Sequence, residues 1–136
     1  MGTRADFYVG RGAEAEWLGS IAFDGYPKGI DPQVLNCTSP EAFRHAVNAL
    51  LERCDDGTKP DMGWPWPWDD SHTTDYAYAF DGGVVYASKF GSPWFQANQP
   101  EPEERTEGEK PVFPDMKSRQ NTAWDKRSGL LIFGIK

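Results

Sequence analysis

The chain is poor in cysteine and histidine and has no long apolar run, and each shortage narrows what it can be. Only Cys37 and Cys54 occur in 136 residues, so there is no disulfide framework of the kind that staples small secreted domains. The two are expected to flank one helix. At ~1.5 Å rise per residue that sets them some 20 Å or more apart, whereas a disulfide needs Cα atoms within about 7 Å. Two free, largely inert thiols are therefore expected, as in a reducing compartment. A helix N-terminus activates a thiol, which would make Cys37 the more reactive of the pair. No apolar stretch approaches the ~18 residues of a membrane span. The opening Met1-Gly2-Thr3-Arg4-Ala5-Asp6 lacks the apolar core of a signal peptide, and Asp6 stands where a myristoylation signal carries Ser or Thr. A cytoplasmic protein without membrane contact is expected, so the sequon Asn36-Cys37-Thr38 reads as chance.

Positive charge is also scarce. Fourteen Lys and Arg face twenty-one Asp and Glu, a net charge of -7 with pI about 4.7. Direct nucleic-acid binding is disfavoured, because phosphates call for basic surface. The acidity fits either an ordinary solvated surface or a partner with a basic groove. Charge is uneven along the chain: residues 1–110 carry a net -10 and residues 111–136 a net +3. Lys117, Arg119, Lys126 and Arg127 form the one basic cluster, suited to an anion or to pairing with the acidic body.

What is present is one domain's length of chain, rich in aromatic residues (14%). Residues 5–9 and 16–23 read as two strands of a hairpin, followed by a loop over 26–37 that holds Pro27, Gly29 and Pro32. Thr38-Ser39-Pro40-Glu41 is a helix start signal. Phe43, Ala46, Val47, Leu50, Leu51 and Cys54 recur at helical spacing, and Asp55-Asp56-Gly57 stops the helix. Residues 75–80 and 83–89 form a second hairpin, with Tyr76, Tyr78 and Phe80 on one face. Residues 97–110 are rich in Pro and Glu, with one Gly and no large apolar residue, and predict a mobile acidic loop. The apolar run 129–135 predicts a buried strand near the sheet centre. The whole predicts a single α+β domain over 1–136, with one amphipathic helix on a mostly antiparallel sheet of about five strands.

Several motifs suggest chemistry. Gly10-Arg11-Gly12-Ala13-Glu14-Ala15 matches a loose dinucleotide fingerprint, but no helix has room to follow, so it reads as a hairpin connection. Asp69-Asp70-Ser71-His72-Thr73-Thr74-Asp75 gathers carboxylates, hydroxyls and an imidazole. It is a turn by its residue types; its functional alternative is a small metal-dependent hydrolase with His72 as the catalytic candidate. Trp64-Pro65-Trp66-Pro67-Trp68 is the least expected feature. Its rings either cover the core or anchor a partner, with Trp94 extending the same surface, or they stack a sequestered nucleotide or other small molecule.

Four stretches, TRADFYVGRG, WLGSIAFDGYP, TDYAYAFDGGVVYASKFGSPWF and FPDMKSRQNTAWDKRSGLLIF, resemble small uncharacterised acidic proteins encoded by bacteriophages, prophages and other bacterial mobile elements. The likeness covers about half the chain. It implies an accessory protein that binds and blocks a host protein, such as a CRISPR effector or another defence component. On this reading the protein is not an enzyme and uses no cofactor or metal. Asp69, Asp70, Asp75 and Asp81 steer it to the partner, and Trp64, Trp66, Trp68 and Trp94 anchor it.

Overall fold

A computed structural model describes residues 3–99 and 111–116. Strand β1 (Ala5–Val9) turns through Gly10 (φ 99°) into β2 (Glu16–Ile21). A 3-10 turn (Pro27–Gly29) and a one-turn helix α1 (Pro32–Leu35) follow, then the main helix α2 (Pro40–Arg53). The second hairpin comprises β3 (Tyr76–Asp81) and β4 (Val84–Lys89), and the two-residue β5 (Phe95–Gln96) ends the sheet. The order is β2-β1-β3-β4-β5. Among the described strands only the β1–β3 pair is parallel. One main helix on a mostly antiparallel five-stranded sheet is thus the architecture.

The local rules explain most of this. Ser39 caps α2 by accepting a hydrogen bond from the Ala42 N–H (3.1 Å), with Pro40 in the first turn. The α2 face of Phe43, Val47, Leu50 and Leu51 packs on Phe7, Ile21, Tyr78, Phe80 and Val85. The bidentate pair Arg44–Glu16 (2.8 and 2.6 Å) ties the outer side of the helix to β2; the hydrogen bond from Arg44, helped by its charge, holds the Glu16 carboxyl below its ordinary range against partial burial. The β3–β4 turn is Gly82-Gly83, both at positive φ (60° and 87°), as a two-residue hairpin loop requires.

Two expectations are corrected. Residues 26–37 are not a plain loop: Pro27 and Pro32 each open a helical turn, and the Asp31 side chain caps α1 through the Gln33 N–H. The loop predicted from residue 97 does not begin there. Ala97 is buried and donates its N–H to Val85 O, and Gln99 donates to Gln96 O, so 97–99 still belong to the fold. Among the described residues a short strand without a sequence signal, β5, pairs with β4 at the edge of the sheet. The predicted strand 129–135, the basic cluster at Lys117, Arg119, Lys126 and Arg127, and residues 100–110 lie outside the described residues.

The opposite sheet face has a different cover. The buried β3 residues there are the small Ala77 and Ala79, between Tyr8 on β1 and Tyr86 on β4. Trp64, Trp94, Phe113 and Met116 fill the resulting trench. The sheet is therefore a middle layer between α2 and a layer of irregular aromatic chain.

The edge of β2 is closed by chain that leaves α2. Ser20 and Thr58 exchange two backbone hydrogen bonds (2.9 and 2.8 Å), and Asp56 Oδ2 accepts from the N–H groups of Ala22 and Phe23. The close approach is made over Gly19 (φ 145°), where a Cβ would stand 2.4 Å from Leu51 Cδ1 and 2.6 Å from Thr58 O. Gly19→Ala is expected to lower unfolding stability by about 2 kcal/mol or more, read from the midpoint of urea unfolding.

Candidate functional site

Asp6 sits on the central strand β1 between Ala5 and Phe7, with its side chain on the tryptophan face of the sheet and no exposed surface. Its Oδ1 accepts hydrogen bonds from Ser20 Oγ (2.5 Å) and Trp66 Nε1 (2.7 Å). Its Oδ2 accepts from Ser71 Oγ (2.6 Å). A second ring of donors stands behind these. Trp17 Nε1 donates to Ser20 Oγ (3.0 Å). Ser71 Oγ, having given its proton to Asp6, accepts from the Tyr8 hydroxyl (2.7 Å). Burial pushes the Asp6 carboxyl above its ordinary value, against the opposing pull of Ser20, Ser71, Trp66 and Thr74.

This network turns the Trp-Pro loop inward. The Trp66 indole N–H goes to Asp6, the Trp68 N–H to Thr74 Oγ1 (2.9 Å), and the Trp64 N–H to Trp68 O (2.7 Å). Trp64 is buried edge-on against Trp17 (5.2 Å between ring centres), while Trp66 and Trp68 are half-buried and stacked on each other (5.6 Å). Trp94 is buried against Phe113, and its Nε1 has no hydrogen-bond partner among the described residues. Core cover is what these rings do in the fold.

The acidic candidates are dispersed. Asp81 pairs with Arg11 (2.9 Å), whose guanidinium lies 4.0 Å over the Tyr86 ring. The Gly10-Arg11-Gly12 segment is accordingly a hairpin connection that supplies this pair. Asp69 uses its main-chain oxygen to hold the Met116 N–H (2.8 Å). Asp70 caps the 3-10 turn Ser71–Thr73 through the His72 N–H and also holds His72 Nδ1 (3.0 Å). His72 Nε2 lies 3.2 Å from Pro111 O, and the ring stands edge-on to Phe113. His72 thus clamps residues 111–113 over the tryptophan face. No group of three or more His, Cys, Asp and Glu is placed to hold a metal ion among the described residues. Burial raises both thiols, and Asp56 adds to the effect at Cys54. Cys37 is therefore not activated by α2: its Sγ donates to Gln33 O (3.1 Å), a carbonyl one turn back.

Asp75 is placed differently. It joins Trp66 and Trp68 around Arg4, whose guanidinium lies 5.7 and 5.6 Å from the two ring centres and 3.7 Å from Asp75 Oδ2. Asp75 also borders a depression of about 360 Å³ with Thr3, Tyr26, Tyr76, Lys89 and Phe90. This is the end of the sheet where β1 and β3 begin. Gly25 N bonds Thr3 O there, Tyr76 N bonds Arg4 O, and Phe90 N bonds Asp75 O.

Two exposed aromatic residues flank that depression, Tyr26 (41% exposed) and Phe90 (62%), with Phe23 (56%) on the same connection as Tyr26. Phe90 stands at a backbone position that disfavours a bulky side chain. It follows β4 in the turn Lys89-Phe90-Gly91-Ser92, closed by Ser92 N to Lys89 O (3.0 Å). Both central residues have positive φ (51° and 80°). The chain makes a like turn at Gly82-Gly83, whereas Asn or Gly is the unstrained choice at the first position. Sequence reasoning missed this trio. The available signal was Phe-Gly directly after a strand, where Asn-Gly is the ordinary pair.

No protein-family model, curated protein or solved structure matches the chain.

Asp6→Ala is expected to cost about 3 kcal/mol or more, because Ser20, Ser71 and Trp66 are left as buried donors without an acceptor. Asp6→Asn separates shape from charge. The native Asp6 holds its proton to higher pH than the unfolded chain does, so the native state binds more protons above the ordinary 3.8. Its contribution to stability then falls as pH rises from there through the raised native value. Urea unfolding of wild type and Asp6→Asn across that range checks this: the wild-type-minus-variant difference should decline with pH and then level.

Proposed function

We propose that this chain is a non-enzymatic accessory protein of a phage or mobile element. It acts by binding and inhibiting a host protein, for which a defence component such as a CRISPR effector is the context the sequence resemblance supplies. The observation that supports a binding role is the aromatic end of the sheet. Tyr26 and Phe90 are exposed on one depression, with Phe23 exposed three residues before Tyr26, and exposed aromatic side chains of low rotamer entropy are what protein interfaces use as anchors. The net charge of -7 favours a partner with basic surface, approached by long-range attraction.

Phe90 gives the test. Replacing it with glycine relieves the left-handed backbone, about 1–2 kcal/mol, and removes a ring whose covered part contributes a similar amount. Phe90→Gly is therefore expected to unfold within about 1 kcal/mol of wild type, whereas truncating the buried Phe7 or Phe43 costs about 3–5 kcal/mol. In co-purification from bacterial lysate, a host protein held by wild type should be lost with Phe23→Ala/Phe90→Gly. A host protein retained by that variant would place the interface elsewhere.

A further inference from the structure

Residues 111–115 lie outside any helix or strand, yet burial along this segment is regular. Pro111 and Pro114 are buried, Phe113 and Met116 are buried, and Val112 and Asp115 are exposed. Each pair is three residues apart. The polyproline II helix has that period, and proline fixes the φ it requires. Two faces of the segment rest on the protein and the third faces solvent, which is how a Pro-x-x-Pro peptide docks in an aromatic groove. The trench beneath is such a groove. His72, Trp94 and Tyr8 surround the Phe113 ring at 4.9, 5.6 and 5.9 Å between ring centres, and the small Ala77 and Ala79 belong to the same cluster.

Polar contacts tie this strap at its ends. Pro111 O lies 3.2 Å from His72 Nε2, and the Met116 N–H donates to Asp69 O (2.8 Å). Among the described residues no backbone hydrogen bond joins Val112 or Phe113 to the sheet, and Pro114 has no N–H to give. The strap also leaves a donor unused. Trp17, Trp64, Trp66 and Trp68 each give their indole N–H to an acceptor. Trp94 Nε1, buried beside Phe113, has none among the described residues. A buried donor without an acceptor weakens the strap's own fit, and a carbonyl of another occupant would satisfy it. We infer that this trench is a docking groove for an extended, proline-flanked aromatic segment of a partner protein, Pro-x-Phe-Pro in type, and that residues 111–116 occupy it as an intramolecular stand-in. The strap itself shows what fits: two prolines one turn apart, an aromatic ring before the second, and no demand at the solvent-facing position of Val112. The groove uses none of Phe23, Tyr26 and Phe90, so it is a second contact surface and stands or falls apart from the first.

The test uses the full-length protein and the peptide acetyl-Pro-Val-Phe-Pro-Asp-Met-amide, with binding followed by the ¹⁵N NMR shift of the Trp94 indole N–H. Phe113→Ala removes the ring that anchors the strap. The peptide is expected to bind this variant about tenfold or more tighter than wild type, where the tethered strap competes at high effective concentration. Changing both peptide prolines to alanine should weaken binding about tenfold, and changing only its valine to proline should tighten binding about threefold, by fixing the extended form in advance. Unshifted indole resonances of Trp17 and Trp66 report that Phe113→Ala is folded. If it is not, His72→Ala, which frees only the Pro111 end, takes its place, with a gain of about threefold over wild type. No saturable shift in a folded variant with the strap loosened, or equal affinity for the proline and alanine peptides, overturns the groove assignment. Loss of binding on the valine-to-proline change overturns the three-residue register on which it rests.

Discussion

A buried carboxylate with only donors around it organises one whole side of this protein. Asp6 lies in the central parallel pair of strands, and its two oxygens collect hydroxyl and indole protons from β2, from the Trp-Pro loop and from the turn before β3. Without an acceptor at that point, Ser20, Ser71 and Trp66 would each lose a bond in a place water does not reach. The carboxylate thus decides where the loop lies. Once the loop is fixed, Trp64 can enter the trench over Ala77 and Ala79, and Trp68 can stack on Trp66. The second clamp, His72 and Asp69 on residues 111–116, brings Phe113 and Met116 over the same trench.

The consequence for function is a division of labour among the aromatic residues. The rings of the Trp-Pro loop have their N–H groups committed inside the fold. Among the described aromatic residues, those left most exposed are Phe23, Tyr26 and Phe90, the last two flanking one depression at the sheet end. Phe90 holds a left-handed backbone that a bulky side chain seldom adopts. Asp75 links the two groups, holding Arg4 on the tryptophan side and bordering the depression on the other.

The elements readable from sequence were those whose signals are local. The cap at Ser39, the apolar stripe of α2 and the Asp81-Gly82-Gly83 turn each specify their own geometry within a few residues, and they were enough to give the fold class. The Trp-Pro loop was conspicuous, but its direction was not legible, because it depends on Asp6, sixty residues away from Trp66. Asp6 itself was visible as a lone carboxylate within Ala5-Asp6-Phe7-Tyr8-Val9. Nothing nearby in sequence says that Ser20 and Ser71 converge on it. The short strand β5 was hidden in a Pro- and Gly-rich stretch, since two residues carry no periodicity. Dispersed acidic residues looked alike in sequence; only their cations, Arg4 for Asp75 and Arg11 for Asp81, tell them apart.

The most direct measurement of the central claim is hydrogen exchange at the Trp66 indole N–H, resolved by ¹⁵N NMR in wild type and in Asp6→Asn. If the buried carboxylate holds the loop on the sheet, this proton exchanges in wild type only through large-scale opening and far faster in the variant. Exchange in wild type at the rate of a free indole would mean that the loop is not held, and that the tryptophans are as available to a partner as Phe90.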